Sequence, residues 1–391
     1  MSDRYLERAR AIHRDLPVID GHNDLPWAIG KRAGGSLAAA DPSHYLAGYH
    51  TDIPRLLEGG VGAQFWSVYV SASSSNAFDN TLRQIALVEE MVAANPDHLA
   101  SATTASEIRA IREQGRIACL LGAEGGHSME ASLDKLRALY DRGVRYMTLT
   151  HSDTLSWADS ATDDERHGGL TDYGREIVGE MNRIGMMVDI SHVSAGTMRD
   201  ALDVTRAPLI ASHSSAFGLA AHPRNVPDDV IARVADNDGV VMVNFYPPFI
   251  VPQLAARSLE VFEEGRRLLA ELGDEQAVDD ALADRWDDVA FRGNVGTVVD
   301  HIEYIARLSG ADHVGLGSDF DGVDLLPEGL EDVTCYPNIT AEMLRRGWEE
   351  TDVRKVLGEN VLRVMAAVEE AAARAARLPF HHEYHVPPVL R

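Results

Sequence analysis

The stretch VIDGHNDLPW (residues 18–27) joins a short apolar run to two polar residues suited to binding a metal ion. The run PVIDGH (17–22) is apolar enough for a buried strand, and His22 and Asp24 stand two positions apart at its end. Because alternate side chains of a strand share a face, both side chains would point the same way. An imidazole and a carboxylate placed together are typical of metal ligands.

Seven further runs of the same kind follow, and segments of helical character separate most of them. The runs span residues 59–70, 117–126, 146–153, 185–194, 207–215, 239–246 and 313–322. Near-continuous apolar runs, rather than strict alternation, indicate parallel strands that are covered on both faces. Eight such strands alternating with helices predict an α/β fold, a (β/α)8 TIM-type barrel with extra helices.

The chain of 391 residues would suit either one large barrel or two ordinary domains by length alone. The strand pattern favours a single barrel domain over residues 1–391. Helices are predicted between the strands at 79–95, 132–143 and 171–185, the last with a Thr-Asp start and a terminal glycine. A helical insertion is expected at about 247–300, and closing helices at about 340–378.

The composition restricts the classes of partner. The chain has 36 basic and 61 acidic residues, and its formal charge of -25 opposes binding to nucleic acid or anionic lipid. No apolar run is long enough to span a bilayer, and the N-terminal segment is charged, without the apolar core of a signal peptide. Cys119 and Cys335 favour buried free thiols, with one bridge as the alternative. We therefore expect a cytoplasmic protein that acts on a small molecule or a peptide.

The ends of the predicted strands carry the residues that would form an active site. In TIM-type barrels the active site lies at the C-terminal ends of the strands. Those ends contain His22, Asp24, Glu124, His151, Asp153, His192, His213, Asn244, Tyr246, Asp319 and Asp321. A lone histidine on a strand is more often a hydrogen-bonded core residue than a ligand. Here several histidines lie at one rim, and each buried ring without a hydrogen-bond partner would cost about 1–3 kcal/mol. A metal site explains all of them together, and the imidazole and carboxylate ligands match zinc.

Two divalent ions at such a site would need a ligand that bridges them. A carboxylated lysine bridges the ions in many hydrolase barrels, but all three lysines of this chain lie in predicted loops or helices. Glu124 in LLGAEGGHS is the remaining candidate, because Gly125 and Gly126 after it permit a tight turn. The alternative for Glu124 is a solvated loop acid.

Seven motifs, in order along the chain, resemble the membrane (renal) dipeptidase family, zinc peptidases on an amidohydrolase-type barrel. The motifs are IDGHNDLPW, EGGHS, LTHSDTLSWADS, GGLTDYG, VDISHVS, SHSSAFGLAAHPRNVPDD and GSDFDG, and the match spans about residues 17–370. The resemblance implies two zinc ions per chain. One would be held by His22 and Asp24 and the other by His192 and His213, with Glu124 bridging them.

The resemblance also implies roles for three further residues. His151 would hydrogen-bond the scissile carbonyl oxygen, and Asp319 would handle the catalytic proton. Arg224, in AHPRN, would bind the C-terminal carboxylate of the substrate, which suits the forked guanidinium, whereas the alternative is a surface salt bridge. Tyr246 is a candidate for the substrate pocket, with core packing as an equal alternative.

The activity implied by the resemblance is hydrolysis of free dipeptides, with L,L and L,D substrates accepted, by attack of a metal-bridging hydroxide. The resemblance further implies a homodimer, and the chain is similar to soluble, bacterial-type members rather than to the lipid-anchored animal ones. One alternative is another amidohydrolase-type activity, on a cyclic amide, an N-acyl amino acid or a lactone. The other alternative is a non-catalytic barrel that binds a metal or a peptide.

Overall fold

The computed structural model describes residues 4–273, 275–286 and 288–377, and its centre is a closed barrel of parallel strands. The strands are β1 (Val18–Asn23), β2 (Val61–Ser67), β3 (Leu99–Ser101), β4 (Ile117–Ala123), β5 (Val144–Thr148), β6 (Met187–Asp189), β7 (Ile210–Ala211), β8 (Val240–Val243) and β9 (Val314–Leu316). Because β1 pairs with both β2 and β9, and β2 pairs with β4, all strands except β3 form one ring. The predicted (β/α)8 barrel is therefore confirmed.

Helices surround the barrel and occupy most of the connections between strands. They are α1 (Arg4–Asp15), α2 (Leu25–Ala33), α3 (Ile53–Gly59), α4 (Ala77–Ala94), α5 (Ala105–Glu113), α6 (Leu133–Asp141), α7 (Asp172–Ile184), α8 (Ala195–Val204), α9 (Asp228–Asp236), α10 (Pro247–Ile250), α11 (Pro252–Leu272), α12 (Glu275–Leu282), α13 (Val295–Ser309), α14 (Tyr336–Arg345), α15 (Glu350–Arg354) and α16 (Asn360–Arg377). Shorter helical turns lie at Gly126–Met129, Ala311–His313, Val333–Cys335 and Lys355–Glu359.

The strand β3 is the one element of the sheet that the sequence does not predict. Leu99 of β3 pairs with Ile117 at the start of β4, whereas Met147 of β5 pairs with Ala123 at its end. The strand β3 therefore lies beside the first half of β4, on the edge that β5 occupies further along. A run of three residues is too short for a periodic pattern to reveal it.

The predicted runs are longer than the strands because their last residues form loops at the mouth of the barrel. The run 185–194 contains β6, which ends at Asp189, and the run 207–215 contains β7, which ends at Ala211. His192 has φ 66°, in the left-handed region that a regular strand does not use. The site residues of these two runs are therefore loop residues held just above the strands.

The three helices predicted between strands are confirmed, with ends close to those expected. The predicted segments 132–143 and 171–185 contain α6 and α7, and the segment 79–95 covers α4 except for its first two residues. The side chain of Thr171 accepts a hydrogen bond from the Gly174 amide at the start of α7. The helix ends at Ile184, and the next residue, Gly185, has a φ of 88°, a left-handed conformation that suits glycine.

The barrel interior and its outer surface bury different sets of apolar side chains. Phe65, Leu120 and Met242 belong to an inner cluster, to which Val364 of α16 also contributes. The Asn360 side chain, at the start of α16, donates a hydrogen bond to the Val314 carbonyl at the start of β9 (2.8 Å). The helix α16 therefore lies near the N-terminal end of β9, away from the strand ends that carry the candidate site.

The region where the sequence predicts an insertion, 247–300, holds α10, α11, α12 and the start of α13. The assignment of the whole chain to a single domain stays a prediction. Cys119 is buried and Cys335 is partly exposed, and both are free thiols, so the expectation of burial is right only for Cys119. Among the described helices, none combines the length and the apolar character that a bilayer span requires.

Candidate active site

The structure brings the five predicted metal ligands together at the C-terminal mouth of the barrel. His22 and Asp24 lie at the end of β1, Glu124 follows β4, His192 follows β6 and His213 follows β7. Each of the five is at most 9% exposed. Their donor atoms form overlapping groups, and within each group the atoms lie within 4.8 Å of one another.

The Glu124 carboxylate lies between His22 on one side and the pair His192 and His213 on the other. Its Oε2 is 3.4 Å from His22 Nε2, and it accepts a hydrogen bond from the Ser67 hydroxyl (3.0 Å). Its Oε1 is 3.0 Å from His192 Nε2 and 3.4 Å from His213 Nε2. On the first side, Asp24 Oδ2 lies 3.3 Å from His22 Nε2. Each oxygen of Glu124 therefore faces a separate set of donors.

The donor set fits a divalent transition metal. The buried His22 Nε2 has no hydrogen-bond partner in the described residues, although two carboxylates are close to it. The Nε2 atoms of His192 and His213 face each other at 2.9 Å. Imidazole nitrogens and carboxylate oxygens that converge in a buried site are ligands of zinc and similar ions.

The electrostatics of His192, His213 and Glu124 favour the protonation states that metal binding needs. Burial lowers the pKa of His192 and of His213 well below the usual value, so both imidazoles are neutral near pH 7. Burial by itself raises the pKa of Glu124, but His22, His151 and the hydrogen bonds from His192 and His213 outweigh burial and lower it well below its usual value. Neutral imidazoles and an ionised carboxylate are the forms that coordinate a metal. His22 and Asp24 differ: burial lowers the pKa of His22, but Tyr146, Glu124 and Asp24 outweigh burial and raise it well above its usual value, and burial raises the pKa of Asp24.

Tyr146 orients His22 from inside the barrel, and the sequence reasoning missed this role. A hydrogen bond of 2.8 Å joins the Tyr146 hydroxyl to His22 Nδ1, and the same hydroxyl donates to the Gly21 carbonyl (3.1 Å). The Tyr146 ring occupies space beside Gly122 on β4, where an added Cβ would lie 2.0 Å from the ring. Hydrogen bonding at Nδ1 fixes the ring so that Nε2 faces the candidate metal site.

His151 lies at the edge of the cluster rather than within it. Its Nε2 is 3.6 Å from Glu124 Oε1, and its ring stacks on that of His192 with centroids 4.2 Å apart. A hydrogen bond of 3.1 Å joins its Nδ1 to the Ser152 hydroxyl. Burial lowers the pKa of His151 to about 4, so the ring is neutral near pH 7. The side chain is 20% exposed and is available to a bound substrate.

Asp319 follows β9, and its carboxylate belongs to the same cluster. Its Oδ2 accepts a hydrogen bond from the Asn244 side chain (2.8 Å), and its carboxylate groups with His22 and His213. Burial, together with the nearby Asp24 carboxylate, raises the pKa of Asp319 to about 7. A carboxyl group that titrates near neutral pH is suited to exchanging a proton.

Arg224 is buried beside the cluster, and no described carboxylate pairs with it. The residue is 2% exposed, and its guanidinium donates to the Ser214 hydroxyl (3.3 Å) and to the His213 carbonyl (3.4 Å). Burial lowers the pKa of Arg224 to about 10, so the group stays charged at neutral pH. The alternative of a surface salt bridge does not apply, because the side chain is inside the protein.

Tyr246 and Ser67 complete the surroundings of the cluster. The Tyr246 amide donates to the Asn244 side chain (2.6 Å), and its ring packs edge-on against Phe249 and Trp286. Tyr246 is 7% exposed, so it belongs to the wall of the site and to the core at once. Ser67 ends β2 and was missed, although applying the strand-end rule to the second predicted strand would have found it.

The comparisons with known proteins identify a family of peptidases. A sequence model of the membrane dipeptidase family, peptidase family M19, matches residues 6–378. The dipeptidase AC, described as a metallopeptidase of family M19, is 26% identical over 90% of this chain and 98% of its own, with a TM-score of 0.74.

Two further solved structures share the fold. A metallopeptidase from Rhodobacter sphaeroides, bound to a phosphinate mimic of the dipeptide L-Ala-D-Ala, is 25% identical over 90% of this chain and 99% of its own, with a TM-score of 0.73. The probable dipeptidase PvdM from Pseudomonas aeruginosa covers 95% of this chain and 100% of its own with a TM-score of 0.82, and at 21% identity it supports the fold alone. The family match over nearly the whole chain means that the protein belongs to the membrane dipeptidase family and is a metallo-dipeptidase.

Proposed function

We propose that the protein is a zinc-dependent dipeptidase that binds two zinc ions around Glu124. His22 and Asp24 would hold one ion, and His192 and His213 would hold the other. The orientation of the Glu124 carboxylate supports this assignment, because its Oε2 atom faces His22 whereas its Oε1 atom faces His192 and His213. A carboxylate that offers one oxygen to each of two donor sets is suited to bridging two ions. When bound, the zinc ions would polarise the scissile carbonyl and lower the pKa of a water to about 7.

The observation that carries the substrate proposal is the buried charge of Arg224. A buried cation is costly unless an anion pairs with it, and no described carboxylate lies within ion-pair distance of this guanidinium. The C-terminal carboxylate of a dipeptide would supply that anion and suits the guanidinium fork. Holding the carboxylate there would fix which peptide bond lies over the cluster, so cleavage would occur one residue from the C-terminus.

We assign to His151 and Asp319 the roles that assist hydrolysis. The neutral His151 would donate a hydrogen bond through Nε2 to the carbonyl oxygen as negative charge develops there, an effect worth about 3–4 kcal/mol per donor. Asp319 would take a proton from the attacking water and return it to the leaving amine. The side chain of Asn244 would keep the Asp319 carboxylate in place during both transfers. Tyr246 would line the pocket that receives the dipeptide.

We include L,D dipeptides among the proposed substrates. The contacts proposed for the C-terminal residue involve its carboxylate and the scissile carbonyl, which depend little on the configuration of that residue. The Rhodobacter sphaeroides metallopeptidase, which is bound to a mimic of L-Ala-D-Ala, supports the same proposal. A homodimer and a cytoplasmic location stay predictions.

The first test combines elemental analysis with hydrolysis of an L,L and L,D dipeptide panel, with N-acetylated and C-amidated dipeptides as controls. We expect about two zinc ions per chain and cleavage only of free dipeptides, with neither control hydrolysed. Two zinc ions without dipeptide turnover would contradict the substrate proposal and favour a cyclic amide, N-acyl amino acid or lactone. A single ion per chain would contradict the bridging role of Glu124.

The role of Arg224 is tested by Arg224→Lys, which keeps the charge but loses the bidentate fork. We expect kcat/KM for dipeptides to fall about 100-fold or more, roughly 3 kcal/mol, while the metal content stays unchanged. Arg199→Lys is the matched control, because Arg199 pairs with Asp229 on the surface. Equal kinetics for the two variants would remove Arg224 from substrate recognition.

A further inference from the structure

Asp189 is a buried carboxylate that the proposed mechanism does not use. It ends β6, it is 0% exposed, and no described arginine or lysine lies within ion-pair distance. Its Oδ2 accepts hydrogen bonds from the hydroxyls of Thr148 on β5 (2.6 Å) and of Ser212 after β7 (2.6 Å). Its Oδ1 accepts from the amides of Ser191 (3.0 Å) and Ser212 (2.8 Å). One carboxylate thus connects three neighbouring strands directly beneath the candidate metal site.

Ser212 connects this carboxylate to His213. Its hydroxyl oxygen is 2.6 Å from Asp189 Oδ2 and 2.8 Å from His213 Nδ1. A serine hydroxyl has one proton to donate, and an ionised carboxylate can only accept. The proton of Ser212 therefore points at Asp189, because a hydrogen bond to a charged acceptor is the stronger one. The Ser212 oxygen is then left to accept a hydrogen bond from His213 Nδ1.

This chain of hydrogen bonds determines the tautomer of His213. With the proton on Nδ1, the lone pair of the neutral ring lies on Nε2, which is the atom that faces Glu124 Oε1 (3.4 Å). A metal ligand needs that lone pair, and a fixed ring orientation raises its affinity.

The other two imidazoles of the cluster have different partners at Nδ1. His22 is joined to the Tyr146 hydroxyl, which in turn donates to a backbone carbonyl. His192 Nδ1 is buried without a hydrogen-bond partner in the described residues. Among the three, only the chain behind His213 ends on a charged group. The ion held by His192 and His213 would therefore depend on Asp189 in a way that the other ion does not.

We infer that Asp189 is a positioning residue which, through Ser212, sets the tautomer and orientation of His213 and thereby the affinity of one metal ion. The inference rests on the proposed function for the role of His213 as a ligand. Asp189 and Ser212 do not touch the substrate in this scheme, so their effect is exerted on the metal.

The test compares Ser212→Ala with Thr148→Val. Each variant removes one hydroxyl donor from the same oxygen of Asp189, but only Ser212 also contacts an imidazole. Metal affinity is measured by competition of the folded protein with a chelator for zinc, and the site is observed by the visible absorption of the cobalt(II)-loaded protein. We expect Ser212→Ala to weaken one of the two ions by about 10- to 100-fold and to alter the cobalt spectrum. Thr148→Val should leave both measurements as in the wild type.

A second variant, Asp189→Asn, decides the question if Ser212→Ala does not fold. An amide nitrogen facing Ser212 would donate to its oxygen, so the hydroxyl would turn its proton towards His213 Nδ1 and favour the wrong tautomer. We expect the same loss of affinity for one ion. If Ser212→Ala, or Asp189→Asn in its place, binds both ions like Thr148→Val, the inference is wrong.

A further variant separates this inference from the proposed function. His213→Ala should lose one ion if His213 is a ligand. If His213→Ala binds both ions with wild-type affinity, the ligand assignment fails, and the inference fails with it. If His213→Ala loses an ion whereas Ser212→Ala does not weaken one, only the inference fails.

Discussion

Asp319 shows how a single residue is adapted to its place in the site. Its φ of 68° lies in the left-handed region, which is uncommon for residues other than glycine and is strained by about 1–3 kcal/mol. The surrounding structure holds this conformation, because the Asp319 amide donates to the His22 carbonyl (3.2 Å) and Asn244 holds the carboxylate. His192 has a similar backbone conformation, with φ 66°. Both backbones depart from the strand conformation where the side chains enter the cluster.

At this scale we predict that Asp319→Asn keeps both metal ions and loses most turnover. The amide oxygen can still accept the hydrogen bond from Asn244, but the amide cannot exchange a proton, so kcat should fall about 100- to 10,000-fold. Steady-state kinetics and elemental analysis of the same preparation measure both properties. Asp321→Asn is the control, because Asp321 lies in the same turn and accepts its hydrogen bond from the His50 amide. Loss of a metal ion in Asp319→Asn would instead identify Asp319 as a ligand.

One contact between a helical turn and the barrel leaves no room for an added methyl group. The helical turn Lys355–Glu359 packs beneath β1, and a Cβ added at Gly358 would lie 2.7 Å from a side-chain carbon of Ile19. Ile19 is three positions before His22 on the same strand. In α7, by contrast, a Cβ added at Gly179 would meet nothing within 4 Å. Gly179 lies within a helix and Gly358 lies at a kink between two helical segments, and the two glycines therefore have opposite surroundings.

At the scale of elements we predict opposite effects for these two glycines. Gly179→Ala should raise the free energy of unfolding by about 1 kcal/mol, because alanine is the better helix former. Gly358→Ala should lower it by about 1–3 kcal/mol, because the added methyl group overpacks the contact with β1. Thermal melts of the two variants and the wild type measure both shifts. If the two variants changed the melting temperature equally, the structure around Ile19 would accommodate the added methyl group without a loss of stability.

The first helix, α1, packs against α14 near the C-terminal part of the fold. His13 of α1 lies in this contact and is 3% exposed. Hydrogen bonds join its Nδ1 to the Gly59 carbonyl (3.1 Å) and its Nε2 to the Thr340 hydroxyl (2.8 Å). Burial lowers the pKa of His13 from 6.5 to about 4, so the folded protein keeps this ring neutral.

At the scale of the whole molecule we predict that His13 makes stability depend on pH. Between pH 6.5 and about 4 the unfolded chain binds a proton at this ring and the folded chain does not, so the contribution is complete above pH 6.5 and is lost as the pH falls. The loss approaches about 3 kcal/mol near pH 4. His13→Gln does not titrate, so the stability advantage of the wild type over this variant should shrink from pH 7 to pH 4.

The wild type must be compared with a variant, because other groups change the free energy of unfolding with pH in the opposite direction to His13. The pKa of Asp319 is raised to about 7 and that of Asp321 to about 6, in both cases mainly by burial. Their stabilising contributions are complete at low pH and are lost as the pH rises through those values. A difference between wild type and His13→Gln that stays constant from pH 7 to pH 4 would contradict the prediction.

Much of the fold and the five candidate ligands could be predicted because the relevant patterns are local. The apolar runs, the caps of α7 and the polar residues at strand ends are each contained in a few consecutive residues. The barrel then brings the strand ends together by rule, so His22 and His213 could be placed in one site although 190 positions separate them. The short strand β3 and the early ends of β6 and β7 could not be predicted, because they depend on pairing with other strands.

The sequence by itself determined the barrel and the chemical types of the residues at its mouth, since hydrophobic periodicity and residue identity are properties of the chain. Only the tertiary structure decided which atoms meet. The contact of Tyr146 with His22, the chain from Asp189 through Ser212 to His213, and the burial of Arg224 without a carboxylate partner among the described residues are examples. Each depends on the register between strands and on the space left between side chains, and both are set when the barrel closes.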